Sequence, residues 1–248
     1  MVAPTLIRPL ARHTTGRLEA QDDNVLPSNG TLSHRKASLP VHRSIFAVDI
    51  EGSTRRTNPV KQELREQVYG LVVGALYMAG IESRYCEPFT DRGDGLLVLL
   101  RPADAFPKPL LLSRLIPALA SLLVTHNSGI SPADEPRVLR LRVVVHAGEI
   151  HHDEKGVFGE DLDVAFRLLD APRFKACLGN RTAPLAVVAS DHFYQSIIRH
   201  GYDGIDGTEF LPLVTVTVGL RRTKGWVHFP RTEALPVAGP ARTQVHAS

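Results

Sequence analysis

Short apolar runs alternating with helix-spaced segments constrain this chain more than any other feature. SIFAVDI (44–50) suits a buried strand that ends on a carboxylate. Asn58-Pro59 then opens a helix, with Pro59 where its missing N–H costs nothing. Leu64, Val68, Leu71, Val72 and Ala75 keep helical spacing, and Gly80 closes the segment. Residues 82–87 fit a strand, and GLLVLL (95–100) fits another, bounded by Asp91-Arg92-Gly93-Asp94 and Pro102. A mostly apolar helix is predicted over 110–126, and a long strand over 140–150 (RLRVVVHAGEI) with a hairpin tip at 153–156. Beyond it come a helix from Glu160 stopped by Ala171-Pro172, a strand at 184–190, and a helix over 191–200 capped by Gly201. An antiparallel pair at 210–218 and 226–229 ends the pattern. The order β-α-β-β-α-β, then α-β-α-β-β, predicts an α+β fold: a ferredoxin-like βαββαβ palm with a C-terminal extension. A dinucleotide-binding fold is excluded, because no GxGxxG follows the first strand.

Three segments are expected: a flexible arm (1–43), one domain (44–230) and a flexible tail (231–248), both ends mixing Pro, Gly and polar residues without periodicity. The formal charge of +3 and pI near 9.0 invite a nucleic-acid reading. The excess lies in the ends, however. Residues 1–43 carry +3 and residues 230–248 carry +1, which leaves −1 on the body. No nucleic-acid partner is expected. No apolar run reaches membrane-spanning length, so no membrane partner is expected either. Cys86 and Cys177 are far apart and form no CxxC pair. With no apolar leader near the first residue, a cytoplasmic setting is predicted.

Two carboxylates carry the chemistry. Asp49 ends the first strand and is followed by Glu51-Gly52-Ser53-Thr54; Asp94 sits in Gly93-Asp94-Gly95, just before the next strand. Mg²⁺ takes few protein carboxylates and fills its octahedron with water and phosphate oxygens. Two aspartates on neighbouring strands suit two such ions facing a triphosphate. Gly52, Ser53 and Thr54 offer backbone N–H groups for phosphate.

These residues resemble the class III nucleotidyl cyclases, the family of adenylate and guanylate cyclases. FAVDIEGST (46–54) is similar to the family's first-strand segment and DRGDGLLVLL (91–100) to its Gly-Asp hairpin. Residues 141–172 are similar to its H-x-G strand and the helix after it. The 44–230 pattern also resembles stand-alone cyclase-like proteins common in actinobacteria. The resemblance implies a homodimer with its sites between subunits, acting on a nucleoside triphosphate and serving a signalling effector. It implies two divalent cations, Mg²⁺ or Mn²⁺, with Asp49, Ile50 and Asp94 as the metal set. Asp163 and Arg167 would come from the partner's helix. They lie four apart on one helical face, and a planar arginine fork suits phosphate oxygens.

Three departures from the family pattern stand out. Asp163 occupies a position where the family has Asn. The base-reading positions fall at Thr90 and Gly156, neither of which reproduces the adenine or guanine code; this leaves room for a pyrimidine, as in bacterial anti-phage cyclases making cyclic CMP or UMP. The phosphate-gripping Lys expected near 216–220 is missing, with Arg221, Arg222 and Lys224 as stand-ins. A metal-dependent cyclase is therefore expected, with a catalytically degenerate regulator as the alternative. His151, His152, Asp153 and Glu154 read as a charged hairpin tip and Glu160 and Asp161 as helix-dipole carboxylates. Trp226 reads as core.

Overall fold

Strand β1 (Val41–Ile50) starts three residues before the apolar run that announces it. Its polar start is held by side chains from elsewhere. His42 Nδ1 bonds Glu149 Oε1 at 2.8 Å, and Arg43 Nε donates to Glu87 Oε1 at 2.6 Å. The charge of Arg43, counted with the arm in the sequence, thus belongs to the sheet. The computed structural model describes residues 38–179 and 181–231, so the rest of the predicted arm and the tail from residue 232 lie outside the described residues.

Helix α1 (Asn58–Met78) returns the chain to a hairpin of β2 (Thr90–Asp91) and β3 (Gly95–Leu100). Helix α2 (Ile116–Ser128) then leads to β4 (Leu141–Asp153). These strands lie in the order β2-β3-β1-β4, with β1 antiparallel to both β3 and β4, which is the ferredoxin-like arrangement. The extension comprises β5 (Gly156–Phe158), α3 (Glu160–Asp170), α4 (Pro172–Gly179), β6 (Leu185–Ser190), α5 (Asp191–Ser196), β7 (Leu211–Val218) and β8 (Arg221–His228). It adds β6, β8 and β7 beyond β4, and among the described strands only the β4–β6 pair is parallel. The predicted α+β class is the observed one.

Both faces of the sheet are covered, which explains why the strands read as continuous apolar runs. Phe46, Val48 and Ile50 join Leu64, Val68 and Val72 of α1 and Leu119 and Leu123 of α2 in one cluster. Ile45 and Ala47, on the opposite face, meet Leu162, Ala165 and Leu168 of α3 and Phe174 of α4 in another. Each such buried Leu, Val or Phe contributes roughly 1.5–3 kcal/mol relative to exposure.

Several local expectations change. Residues 82–87 form no strand: Ser83–Tyr85 is a 3₁₀ turn, followed by one isolated bridge between Cys86 and Leu100. Pro88 lacks a ladder donor, and the buried Glu87 carboxylate is drawn to Arg43 and His152. The hairpin arm is instead the two-residue β2. The helix predicted from residue 110 begins as a π-helical turn, Leu111–Leu115, because Pro117 has no N–H for the carbonyl four residues earlier. Ala171-Pro172 ends α3 as predicted, but Pro172 also starts α4, taking the favoured first position of a new helix. Strand β8 begins at Arg221 rather than 226 and pairs with β7 from its first residue. Trp226 is only partly buried. It stacks on Tyr194 at 3.5 Å and donates from Nε1 to Asp191 at 2.8 Å, satisfying its one polar atom.

Candidate active site

Strand register brings the two predicted aspartates together. Asp49 lies opposite Gly95 across the β1–β3 ladder, and the Ile50 N–H donates to the Asp94 carbonyl at 3.0 Å. This approach requires Gly95, since a Cβ there would overlap the carbonyl oxygen of Val48. The Gly-Asp-Gly sequence is therefore a steric condition for seating Asp94 beside Asp49. Both aspartates line a small recess of about 70 Å³, closed on one side by Phe166 and Leu169 of α3. Arg92 stacks over the Phe166 ring, its guanidinium carbon 3.8 Å from the ring centre.

Asp49 is 9% exposed and paired with Arg142, which β4 places directly opposite. Arg142 grips Oδ2 through both Nε (3.0 Å) and Nη2, leaving Oδ1 open among the described residues. Burial pushes the Asp49 carboxyl above the usual carboxylate range. Arg142 opposes that shift, and the neighbouring Asp94 charge adds to it. The Ser53 hydroxyl donates to Oδ2 of Asp94, again leaving the other oxygen open. Sequence reasoning missed Arg142. Its signal exists only in the register that sets residue 142 across from residue 49.

The turn after β1 leaves several backbone donors unused among the described residues. Gly52 adopts a left-handed conformation (φ 68°) and leads into the 3₁₀ turn Ser53–Arg55. The N–H groups of Gly52, Ser53 and Thr54 have no acceptor among the described residues, whereas those of Arg55 and Arg56 bond back to Gly52 and Ser53. Ile50, Ser53, Thr54 and Asp94 line a cleft of about 990 Å³ between this turn, the first half of α1 and the hairpin tip. The far wall carries Arg65, which ion-pairs with Asp91, and Tyr69, whose hydroxyl lies 3.3 Å from the same carboxylate. Asp91 also accepts from the Gly93 N–H at 2.6 Å, so α1 holds the Asp94 hairpin.

The other predicted residues lie elsewhere. Asp163 and Arg167 share the exposed face of α3, and neither makes a side-chain hydrogen bond or ion pair among the described residues. Asp170 pairs with Lys175 rather than with Arg167. Thr90 is exposed on β2 and Gly156 on the β4–β5 tip; neither lines the cleft. Of the histidine tip, His152 bonds Glu87 and Asp153 Oδ1 accepts from the Lys155 and Gly156 N–H groups, as a turn-forming aspartate does.

Asp161 is more than a dipole partner. Its carboxylate meets His146 Nε2 at 3.1 Å and the Glu149 N–H at 2.6 Å, while His146 Nδ1 bonds Ser190 Oγ at 2.6 Å. A side chain at Gly148 would overlap that carboxylate, so the H-x-G sequence leaves room for the helix to dock on β4. Ser190 is buried and also caps α5 at Phe193, so its hydroxyl is engaged in structure. The His146 bond, with the Glu149 N–H, holds the Asp161 carboxyl below its usual range despite burial. A depressed carboxyl stabilises the fold fully above its unfolded value, about pH 4, and loses that contribution as pH falls through the folded value. Asp161→Ala should therefore cost about 1–3 kcal/mol at neutral pH. In denaturant melts its deficit should shrink below about pH 4; a pH-independent deficit would contradict this origin.

The adenylyl cyclase CyaB from P. aeruginosa superposes with a TM-score of 0.55 at 14% identity, covering 80% of this chain and 98% of that one. An adenylate/guanylate cyclase/hydrolase from Silicibacter pomeroyi gives 0.53 at 18% identity, covering 78% and 99%. The guanylyl cyclase Cya2 gives 0.52 at 14% identity, covering 77% and 93%. No family model matches the sequence, and no curated protein matches it. The chain has the fold of these adenylyl and guanylyl cyclase domains. No helix of the described residues is long and apolar enough to cross a membrane.

Among the described residues no group of three or more His, Cys, Asp or Glu side chains gathers at metal-binding spacing. A divalent ion here would thus rest on two carboxylates, with water and phosphate oxygens filling its shell. The open oxygens of Asp49 and Asp94, and the charge crowding between them, fit a hard cation of that kind.

Proposed function

We propose that this protein is a metal-dependent nucleotidyl cyclase that converts a nucleoside triphosphate to a 3′,5′-cyclic nucleotide and pyrophosphate. The observation that carries the reading is the pairing of Asp49 and Asp94, each with an open carboxylate oxygen, beside the N–H groups of Gly52, Ser53 and Thr54, which have no acceptor among the described residues. When bound, Mg²⁺ or Mn²⁺ would supply charge neutralisation and polarisation of the reacting oxygens. Asp49 and Asp94 would hold it, with the backbone at Ile50 beside them. The Gly52–Thr54 turn would bind phosphate oxygens through its three backbone N–H donors. The exposed Asp163 and Arg167 would complete the site on a second copy of the chain, Arg167 gripping the phosphate that changes hands. Thr90 and Gly156 mark where the base would be read.

The test is an assay of the full chain with Mn²⁺ against ATP, GTP, CTP and UTP, with products identified by mass spectrometry. A cyclic nucleotide from any one supports the reading, and none from all four overturns it.

A second reading, a degenerate cyclase that binds nucleotide or protein as a regulator, is favoured by two features. One is a carboxylate at Asp163, where the resemblance implies an amide; the other is the Arg142 cation already on Asp49. Asp163→Asn separates the two. A gain of about tenfold or more in turnover, the scale of one restored hydrogen bond, is expected of a chain that has drifted from catalysis. An unchanged or lower rate marks Asp163 as fitted to its role.

A further inference from the structure

We propose that Lys61, on the first turns of α1, grips the terminal phosphates of the triphosphate bound in the same subunit. It would replace the lysine missing from residues 216–220. The inference rests on the cyclase reading above and adds a residue to it.

Three cations line the cleft beside Asp94: Arg56, Lys61 and Arg65. Two are already committed. Arg56 donates from Nη1 to the Glu51 carbonyl at 3.0 Å and from Nη2 to the Val138 carbonyl at 2.9 Å, tying the turn to the loop before β4. Arg65 is ion-paired with Asp91 and holds the hairpin. Lys61 is partly buried, yet its ammonium has no hydrogen-bond or ion-pair partner among the described residues; only its backbone N–H is used, by the Thr57 carbonyl. A cation turned to a cleft wall, with three donors to spare, is a receptor for a flexible polyanion rather than a structural strut.

Its surroundings set which part of the ligand it meets. Ser53 and Thr54, with their free N–H groups, and Asp94 share the cleft with it. A chain of phosphates starting at the aspartates and running over the turn passes the first turns of α1. The helix start adds favourable potential for negative charge there.

The stand-ins considered from sequence are placed elsewhere in this subunit. Arg221, Arg222 and Lys224 all lie on β8, opposite Val218, Thr217 and Thr215 of β7, and none lines the cleft. Arg221 instead borders a separate depression of about 280 Å³ with His42, His146 and His192. That depression is lined from the middle of β4, by His146 to Glu149, rather than near Arg142.

Inorganic tripolyphosphate with Mg²⁺ is the probe, because it carries the phosphate chain without a base. Binding is measured by titration calorimetry on the full wild-type chain and on Lys61→Gln, Lys61→Arg and Lys224→Gln, each checked by thermal melting. Wild type should bind. Lys61→Gln should bind about ten- to a hundredfold more weakly, as expected for lost charged hydrogen bonds, with an unchanged melting temperature. Lys61→Arg should retain affinity to within about threefold, because the charge stays in the cleft. If Lys61→Gln binds as wild type does, or if Lys224→Gln carries the loss instead, the proposal is overturned while the cleft reading stands. A wild-type chain that binds no tripolyphosphate overturns the cleft reading itself, and this proposal with it.

Discussion

Asp94→Ala is expected to lower cyclic-nucleotide formation at least about a hundredfold, since a bound ion contributes several kcal/mol of charge stabilisation and each 1.4 kcal/mol is tenfold. The fold should remain intact, because Asp94 is only partly buried and among the described residues its side chain is held only by the Ser53 hydroxyl. Asp49→Ala should lose activity to the same degree but for two reasons. It removes a metal carboxylate, and it leaves Arg142 buried without its counter-charge. Breaking a buried pair from one side costs about 3–5 kcal/mol. The two variants should therefore match in activity and diverge in chemical denaturation, Asp49→Ala being the less stable. Equal stabilities would show that the Asp49–Arg142 pair is not the buried interaction described here. Full activity in Asp94→Ala would remove the aspartate pair from the chemistry.

The second large effect concerns the partner. Asp163 and Arg167 are exposed on α3, while the recess that holds Asp49 and Asp94 is lined from the same helix by Phe166, Leu169 and Asp170 and not by Arg167. In a two-fold dimer each site would combine the aspartates of one copy with the arginine of the other. Arg167→Ala alone should then be inactive, with a loss of about a hundredfold or more, as for other transition-state charge donors. Mixed after subunit exchange, Arg167→Ala and Asp94→Ala should recover about a quarter of wild-type activity, because half the dimers are mixed and each holds one intact site. Each variant assayed alone is the control. A mixture no more active than its components would mean that Arg167 acts within its own chain or not at all.

Much of the palm was legible because its signals are local. An apolar run of six or seven residues, a proline at a helix start and a glycine at a hairpin each act on their immediate neighbours, so β1, α1, β3 and β4 were readable in order. The false strand at 82–87 shows the limit. Only Tyr85 and Cys86 of that stretch are apolar, and Pro88 and the pull of Arg43 on Glu87 decide against a strand, with Arg43 far away in sequence. The missed α4 has a similar cause, since Pro172 serves as well to begin a helix as to end one.

The residue types of the candidate site came from sequence: two carboxylates at strand ends, a Gly-Ser-Thr turn after the first, and an Asp and Arg four apart on a helix. Their relations to one another did not. The β1–β3 register seats Asp49 across from Gly95, and the β1–β4 register sets Arg142 against Asp49. The packing of α3 turns Asp163 and Arg167 outward. The use of Arg56 and Arg65 elsewhere leaves Lys61 uncommitted in the cleft. Charge and chemical type belong to single residues and can be read one at a time. Whether a charge is opposed, buried or free depends on what the fold sets within a few ångströms of it, and only the tertiary structure decides that.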